Sequence, residues 1–316
     1  MTCPDTGGGC PAAKIDMSRL PTGCPLHQGV ITMPFSRTAS LLAIYPHITP
    51  RDRLLLQLLD DHQVLTTGQI HRMLFTARRT CQLRLNELAA LDLIERFRFS
   101  RVGGGSQPWH WTLGHNGHRF QAAAHERPEP TPRASNQTVQ RLSANPNLPH
   151  LVLANEFFVQ LTGHARRHPD TRLDRWWSEQ VTTKQFRTIT ADGHGLWTAG
   201  PVTMGFFLEA DTGSEPLGRL VAKLDRYAKL IRRGGPQYPV LFWLGTEQRE
   251  EHLHRQLPGQ HTTVPVATSV HASAPAARVW LPRGATGRVD LAELPSDHGQ
   301  PVADNPNYDD DGVFVL

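Results

Sequence analysis

Apolar residues along the chain fall into two stretches of regular spacing, separated and flanked by polar sequence rich in Pro and Gly. From Thr49 the period is helical. Thr49-Pro50 with Asp52 in the first turn is a helix start, and Leu54, Leu55, Leu58 and Leu59 form an apolar stripe. Thr66-Thr67 caps a second, short helix bearing Ile70, Met73 and Leu74. After Phe75-Thr76 a third helix places Cys81, Leu85, Leu88 and Leu91 on one face. Residues 94–99 alternate as a strand does, Gly103-Gly104-Gly105-Ser106 supplies a turn, and residues 109–113 return. Three helices followed by a hairpin predict a winged helix-turn-helix over residues 48–124.

Residues 125–149 hold Pro, Asn, Ser and Arg without an apolar repeat and read as a linker. The pattern resumes with Leu151, Leu153, Phe157, Phe158 and Leu161, a helix carrying Asn155 and Glu156 and ending near His168-Pro169. Residues 186–190 and 195–197 flank Asp192-Gly193 as a predicted hairpin, and 202–208 form a continuous apolar strand. Residues 217–233 form a helix with Leu217, Leu220, Val221, Leu224, Ala228 and Ile231 on its inner face. Residues 240–244, 247–257 and 278–281 add a strand, a helix and a strand. That order predicts a mixed-sheet α/β domain over 150–294, and hence a two-domain chain of α+β and α/β character. Residues 1–47, with Gly7-Gly8-Gly9, read as a flexible leader. Residues 295–316, with Asp309-Asp310-Asp311, read as a disordered tail.

Charge sharpens this picture. A formal net charge of +4 and a pI near 9.1 favour an anionic partner met on a localised basic surface. Only Lys14, Lys184, Lys223 and Lys229 are lysines, and two of them share one predicted helix, which singles out Lys223. No run reaches the length of a membrane span and no secretory pattern opens the chain, so a cytoplasmic protein without a membrane partner is expected. Cys3, Cys10, Cys24 and His27 lack the paired tight knuckles of a preformed zinc site, so zinc is not expected there. Together with Cys81 the cysteines do not suggest a disulfide framework.

The polar face of the third helix carries Arg78, Arg79, Gln82 and Arg84. Arginine bridges the acceptors of guanine and glutamine pairs with adenine, so this face suits the major groove of duplex DNA. Arg96, Arg98 and Arg101 on the hairpin suit the backbone or the minor groove. Trp109, His110, Trp111, His115 and His118 read as wing packing. In the second domain, Asp192, Glu209 and Asp211 stand at adjoining strand ends with Lys223 one helix further on. Mg²⁺ or Mn²⁺ takes oxygen ligands of this kind, and a lysine beside it steadies developing charge. The bland alternative keeps these acids as capping or ion-pair groups near Arg219 and Lys223. Tyr227 is the tyrosine nearest the acids. It reads as helix packing, because no histidine pair stands beside it. Walker, dinucleotide and GxSxG signatures are absent.

Ala191-Asp192-Gly193 followed by Phe207-Leu208-Glu209-Ala210-Asp211 resembles the PD-(D/E)XK nuclease pattern, with its proline and lysine changed. Where that pattern has lysine this chain has Asp211, so the resemblance implies that Lys223 supplies the cation or that the site is inactive. Glu156 is similar to the accessory acid of some branches. The chain from residue 47 to 245 also resembles the replication-relaxation family of plasmid and integrative-element proteins. The matching segments are Thr49-Pro50-Arg51-Asp52, Val64-Leu65-Thr66-Thr67, Leu85-Asn86-Glu87-Leu88, Asn155-Glu156-Phe157 and Glu209-Ala210-Asp211-Thr212-Gly213, with Lys223 and Tyr227. This resemblance implies a setting in plasmid replication and DNA relaxation. Three functions stay open. One is a metal-dependent nicking enzyme at a plasmid origin or transfer site. Another is a non-catalytic replication, transfer or transcription factor with a degenerate nuclease-like domain. The third is a regulator whose distal domain forms a homodimer and reads a palindrome.

Overall fold

The computed structural model describes residues 41–100, 106–257 and 263–315. A short helix, α1 (Leu41–Ile44), leads to α2 (Pro50–His62), which starts where Thr49 and Asp52 close a reciprocal capping box. Thr66 and Gln69 repeat the device at α3 (Thr67–Leu74), directly after β1 (Leu65–Thr66). Then come α4 (Arg78–Ala90), β2 (Ile94–Phe97), β3 (His110–Leu113) and α5 (His115–Ala124). The strands form an antiparallel sheet in the order β1-β3-β2. Leu55, Leu58, Leu59, Ile70, Met73, Cys81, Leu85 and Leu88 are buried, as their helical spacing demands. Arg101 lies outside the described residues, as do Cys3, Cys10, Cys24 and His27.

The stretch expected to be a structureless linker contains a helix, α6 (Pro132–Ser143), capped by Thr131 and burying Val139 and Leu142. With only two large apolar side chains to bury, it left a weak periodic signal. Next, α7 (Leu148–Ala165) leads into a six-stranded mixed sheet of order β4-β5-β6-β7-β8-β9. Its strands are β4 (Thr171–Ser178), β5 (Gly193–Ala199), β6 (Val202–Ala210), β7 (Val240–Leu244), β8 (Val266–Val270) and β9 (Leu281–Pro282). Helices α8 (Glu179–Phe186), α9 (Leu217–Arg232) and α10 (Glu247–Gln256) connect them. Strands β4, β5 and β6 run antiparallel, β6, β7 and β8 parallel, and β9 antiparallel.

Strand β5 pairs with β4 and β6, so the hairpin expected around Asp192-Gly193 is instead built on Gly200, whose φ of +55° suits a tight turn. Residues 186–190 close α8 and do not pair as a strand. The tail expected to be disordered is placed against the sheet, with Asn305 and Asn307 buried and the Tyr238 hydroxyl 2.7 Å from His298 Nδ1.

Helix α7 joins the two halves. Phe157 and Phe158 meet Phe206, Trp176, Trp243 and Trp280 of the sheet domain. Gly193 is required there, since a Cβ would lie 2.6 Å from the Phe158 ring. On the other side Asn155 donates to the carbonyls of His62 and Val64 (3.2 and 2.8 Å). One apolar core runs from Leu55 and Ile70 through Phe157 to Trp280, so the chain does not divide at a flexible tether. The buried His62 ring stacks on Trp176 at 3.7 Å with neither ring nitrogen hydrogen bonded.

Burial lowers the His62 imidazole from 6.5 to about 3. Its contribution to stability is therefore fully present above pH 6.5 and is lost as pH falls toward the folded value. In urea unfolding between pH 6 and 4, His62→Phe should keep the ring stack and remove up to about 1.4 kcal/mol per pH unit of acid sensitivity. An unchanged pH slope in the variant would show that this ring is not buried uncharged.

Candidate functional site

Backbone pairing brings two of the expected acids together. Gly193 of β5 faces Leu208 of β6, and the Asp192 amide donates to the Leu208 carbonyl at 2.9 Å, which sets Asp192 beside Glu209. Asp192 Oδ2 accepts from the Ala210 amide at 2.7 Å, and Oδ1 lies 2.9 Å from His150 Nε2 on α7. Glu209, 2% exposed, accepts from Lys223 Nζ (2.7 Å) and from the Tyr227 hydroxyl (2.6 Å), both on α9. Lys223 also lies 3.5 Å from Glu215. Asp192 and Lys223 of this group open on a cleft of about 990 Å³ that is also lined by His150, Glu179, Asp211 and Arg219, and by Gln63 of the first half; Glu209 and Tyr227 are buried behind it.

Electrostatics in the group follow from burial. Loss of solvent, then the Asp192 carboxylate, push the Glu209 carboxyl up to about 7 against the pull of Lys223 and Tyr227. Burial opposes charge on Lys223, but the adjoining Glu209 carries its ammonium above the ordinary lysine range. The hydrogen bond to Asp192 raises His150 above the usual histidine value, and burial only partly offsets it. Tyr227 is buried and held well above the phenol range by burial and by Glu209, which agrees with a packing role.

Other expected site residues have different partners. Asp211 is almost fully buried, and Arg249 on α10 donates to both of its oxygens, one at 2.9 Å. The same guanidinium reaches the Glu215 carbonyl, so the pair shapes the loop before α9. A carboxylate forked by arginine is not available as a metal ligand, which corrects that assignment. Glu156 also lies elsewhere. It faces the first half and pairs with Arg72 and Gln69, so it ties α7 to α3 and is no accessory acid of the cleft. On α4, Arg84 clamps buried Asp52 (2.6 Å), Glu87 (2.7 Å) and the His47 carbonyl (2.7 Å), a structural role that removes it from a DNA-reading set.

Arg78, Arg79 and Gln82 point outward on α4. Beside them Arg96 bonds Asn86 of α4 (2.9 Å) and lies over Trp109 at 4.4 Å, while Arg98 lies over the same ring at 4.3 Å. The indole thus holds both guanidiniums on the strand surface.

Residues 56–240, from α2 to the first residue of β7, match the family model described as replication-relaxation. The chain belongs to this family. Among curated proteins none matches the chain. One solved structure, restriction endonuclease FokI bound to DNA, matches at 13% identity and a TM-score of 0.25, over 70% of this chain and 42% of that one. This replication-relaxation protein therefore spans less than half of the matched structure, and so loose an overlay carries no argument.

A cation in this replication-relaxation protein has only part of the expected ligand set. Among the described residues no group of three or more His, Cys, Asp or Glu side chains is placed to hold a metal ion. Asp192 and Glu209 remain side by side, with both Glu209 oxygens taken by Lys223 and Tyr227, so a cation held by the two would displace one of these partners. No described helix is long and apolar enough to cross a membrane. Two partners of the acids escaped the sequence reading. His150 lies one position ahead of the apolar stripe, at the first residue of the expected α/β domain, where no pattern marks it, and Arg249 sits in a helix whose many charges hide two pairs with a buried acid, Arg249 with Asp211 and Glu250 with Arg288.

Histidine NMR tests the Asp192 contact. His150 should titrate above 6.5 in the wild type and return toward that value in Asp192→Asn, so the ion pair contributes stability below pH 6.5 that is lost as pH rises through the folded value. A His150 titration insensitive to Asp192→Asn would exclude the pair.

Proposed function

We propose that this protein is a duplex DNA-binding factor of plasmid or mobile-element replication or transfer. Helices α2, α3 and α4 with the β2–β3 hairpin act as a winged helix-turn-helix, and α4 enters the major groove. The observation that carries this reading is the outer face of α4, where Arg78, Arg79 and Gln82 are exposed and none makes an ion pair among the described residues. Arg96 and Arg98, held flat on Trp109, stand ready beside it for the backbone or the minor groove. Arg79→Ala should cost about 1–3 kcal/mol, roughly 5- to 150-fold in Kd, in fluorescence anisotropy with the preferred duplex. Equal affinity of wild type and variant across all duplexes would remove α4 as the reading helix.

The paired acids favour a second reading, a nicking activity in the cleft. Bound Mg²⁺ or Mn²⁺ would offset developing charge and lower the pKa of an attacking water. In this reading Asp192 and Glu209 hold the ion, Lys223 steadies the phosphodiester, and His150 keeps Asp192 oriented. Supercoiled plasmid incubated with the protein and Mn²⁺ should be nicked, and Asp192→Ala and Glu209→Ala should each abolish the nick. No nicking across a set of origin-containing plasmids identifies a non-catalytic factor and leaves the DNA-binding reading in place.

A further inference from the structure

Arginines from four elements gather where the two halves meet at the C-terminal end of α7. Arg51 opens α2, Arg72 lies in α3, Arg78 and Arg79 open α4, and Arg166 and Arg167 follow α7. Phe75, just beyond α3, is a neighbour shared by Arg51 and Arg166. The Arg51 guanidinium lies 4.8 Å from the centre of its ring, and Arg166 Nη1 donates to the carbonyls of Arg72 (2.9 Å) and Phe75 (3.5 Å). Of the six, Arg72 alone meets a carboxylate among the described residues, that of Glu156. Burial, Arg51 and Arg167 together hold Arg166 below the ordinary guanidinium range.

Like charges repel by about 1 kcal/mol per pair at 4 Å even in water, so a fold that sets Arg51, Arg166 and Arg167 near one another with no carboxylate paired to them among the described residues carries a cost that an anionic partner would offset. The group comes from both halves of the molecule, with Arg78, Arg79 and Arg167 exposed and Arg51 and Arg166 half-buried, which suits an extended polyanion. Guanidinium forks match phosphate oxygens. The group is also continuous with the face of α4, through Arg78 and Arg79.

We infer that Arg51, Arg166 and Arg167 hold backbone phosphates of duplex DNA next to the stretch met by α4, so that one duplex bridges both halves of the protein. This rests on the reading of the first half as DNA-binding. Because α7 is packed into both halves, a duplex held this way is also fixed in direction relative to the cleft.

Phosphate contacts are independent of sequence, so a mixed-sequence 40-base-pair duplex and the full-length chain suffice. Binding is followed by anisotropy from about 50 to 300 mM KCl. The slope of log Kd against log salt should shrink by about 0.9 in Arg167→Ala and by about 1.8 in the Arg166→Ala/Arg167→Ala pair. Arg232→Ala, on the distant end of α9, should leave it unchanged. Since Arg166 also bonds two carbonyls, Arg167→Ala and Arg51→Gln decide the matter if the paired variant is unstable. Unchanged slopes in both of these, with a reduced slope in Arg79→Ala, overturn the inference and spare the α4 reading. Failure of the wild-type protein to bind duplex at any salt overturns both.

Discussion

The packing of α7 between two sheets is the constraint to which the other parts are referred. Its aromatic side chains are consumed by the larger sheet, and its polar side chains Asn155 and Glu156 meet groups of the first half. A helix employed on both sides cannot slide or rotate without losing an apolar contact or leaving a buried polar group unpaired, and each such loss costs about 1–3 kcal/mol. The His62–Trp176 stack closes the same junction from the α2 side. Position in one half is therefore position in the other.

The acids at the sheet end show how burial decides chemistry. Asp192, Glu209 and Asp211 lie within a few residues of one another across two strands, yet each meets a different donor from a different helix: His150 on α7, Lys223 and Tyr227 on α9, Arg249 on α10. Asp211 with its arginine is a closed pair that positions a loop. Glu209 is pushed up to about 7, because lost solvation and the Asp192 carboxylate outweigh its lysine. Asp192, Asp211 and Lys223 stand at the wall of the cleft, and Glu209 is buried behind them.

Much of this was legible in the chain. Both capping boxes, the apolar stripes of α2, α4 and α9, and the buried strands β6 and β7 follow from residue spacing alone, as does the approach of Asp192 to Glu209. Strand β4 was not legible, because a bulge between Leu173 and Arg175 breaks the alternation and three of its first five residues are charged. The partners of Arg84, Glu156 and Asp211 were hidden for another reason. Each pairs with a residue remote in sequence, and a charged side chain reads the same whether it faces solvent or a buried counter-ion.

The length of α7 sets a scale. At 18 residues it rises about 27 Å from the cleft end to the arginine end, the span of roughly eight base pairs. A duplex anchored at the arginine end and lying along this strut would bring to the acids a bond most of a helical turn away from the anchored phosphates. The helix would then act as a spacer of fixed length, because its contacts on both sides hold its ends where they are.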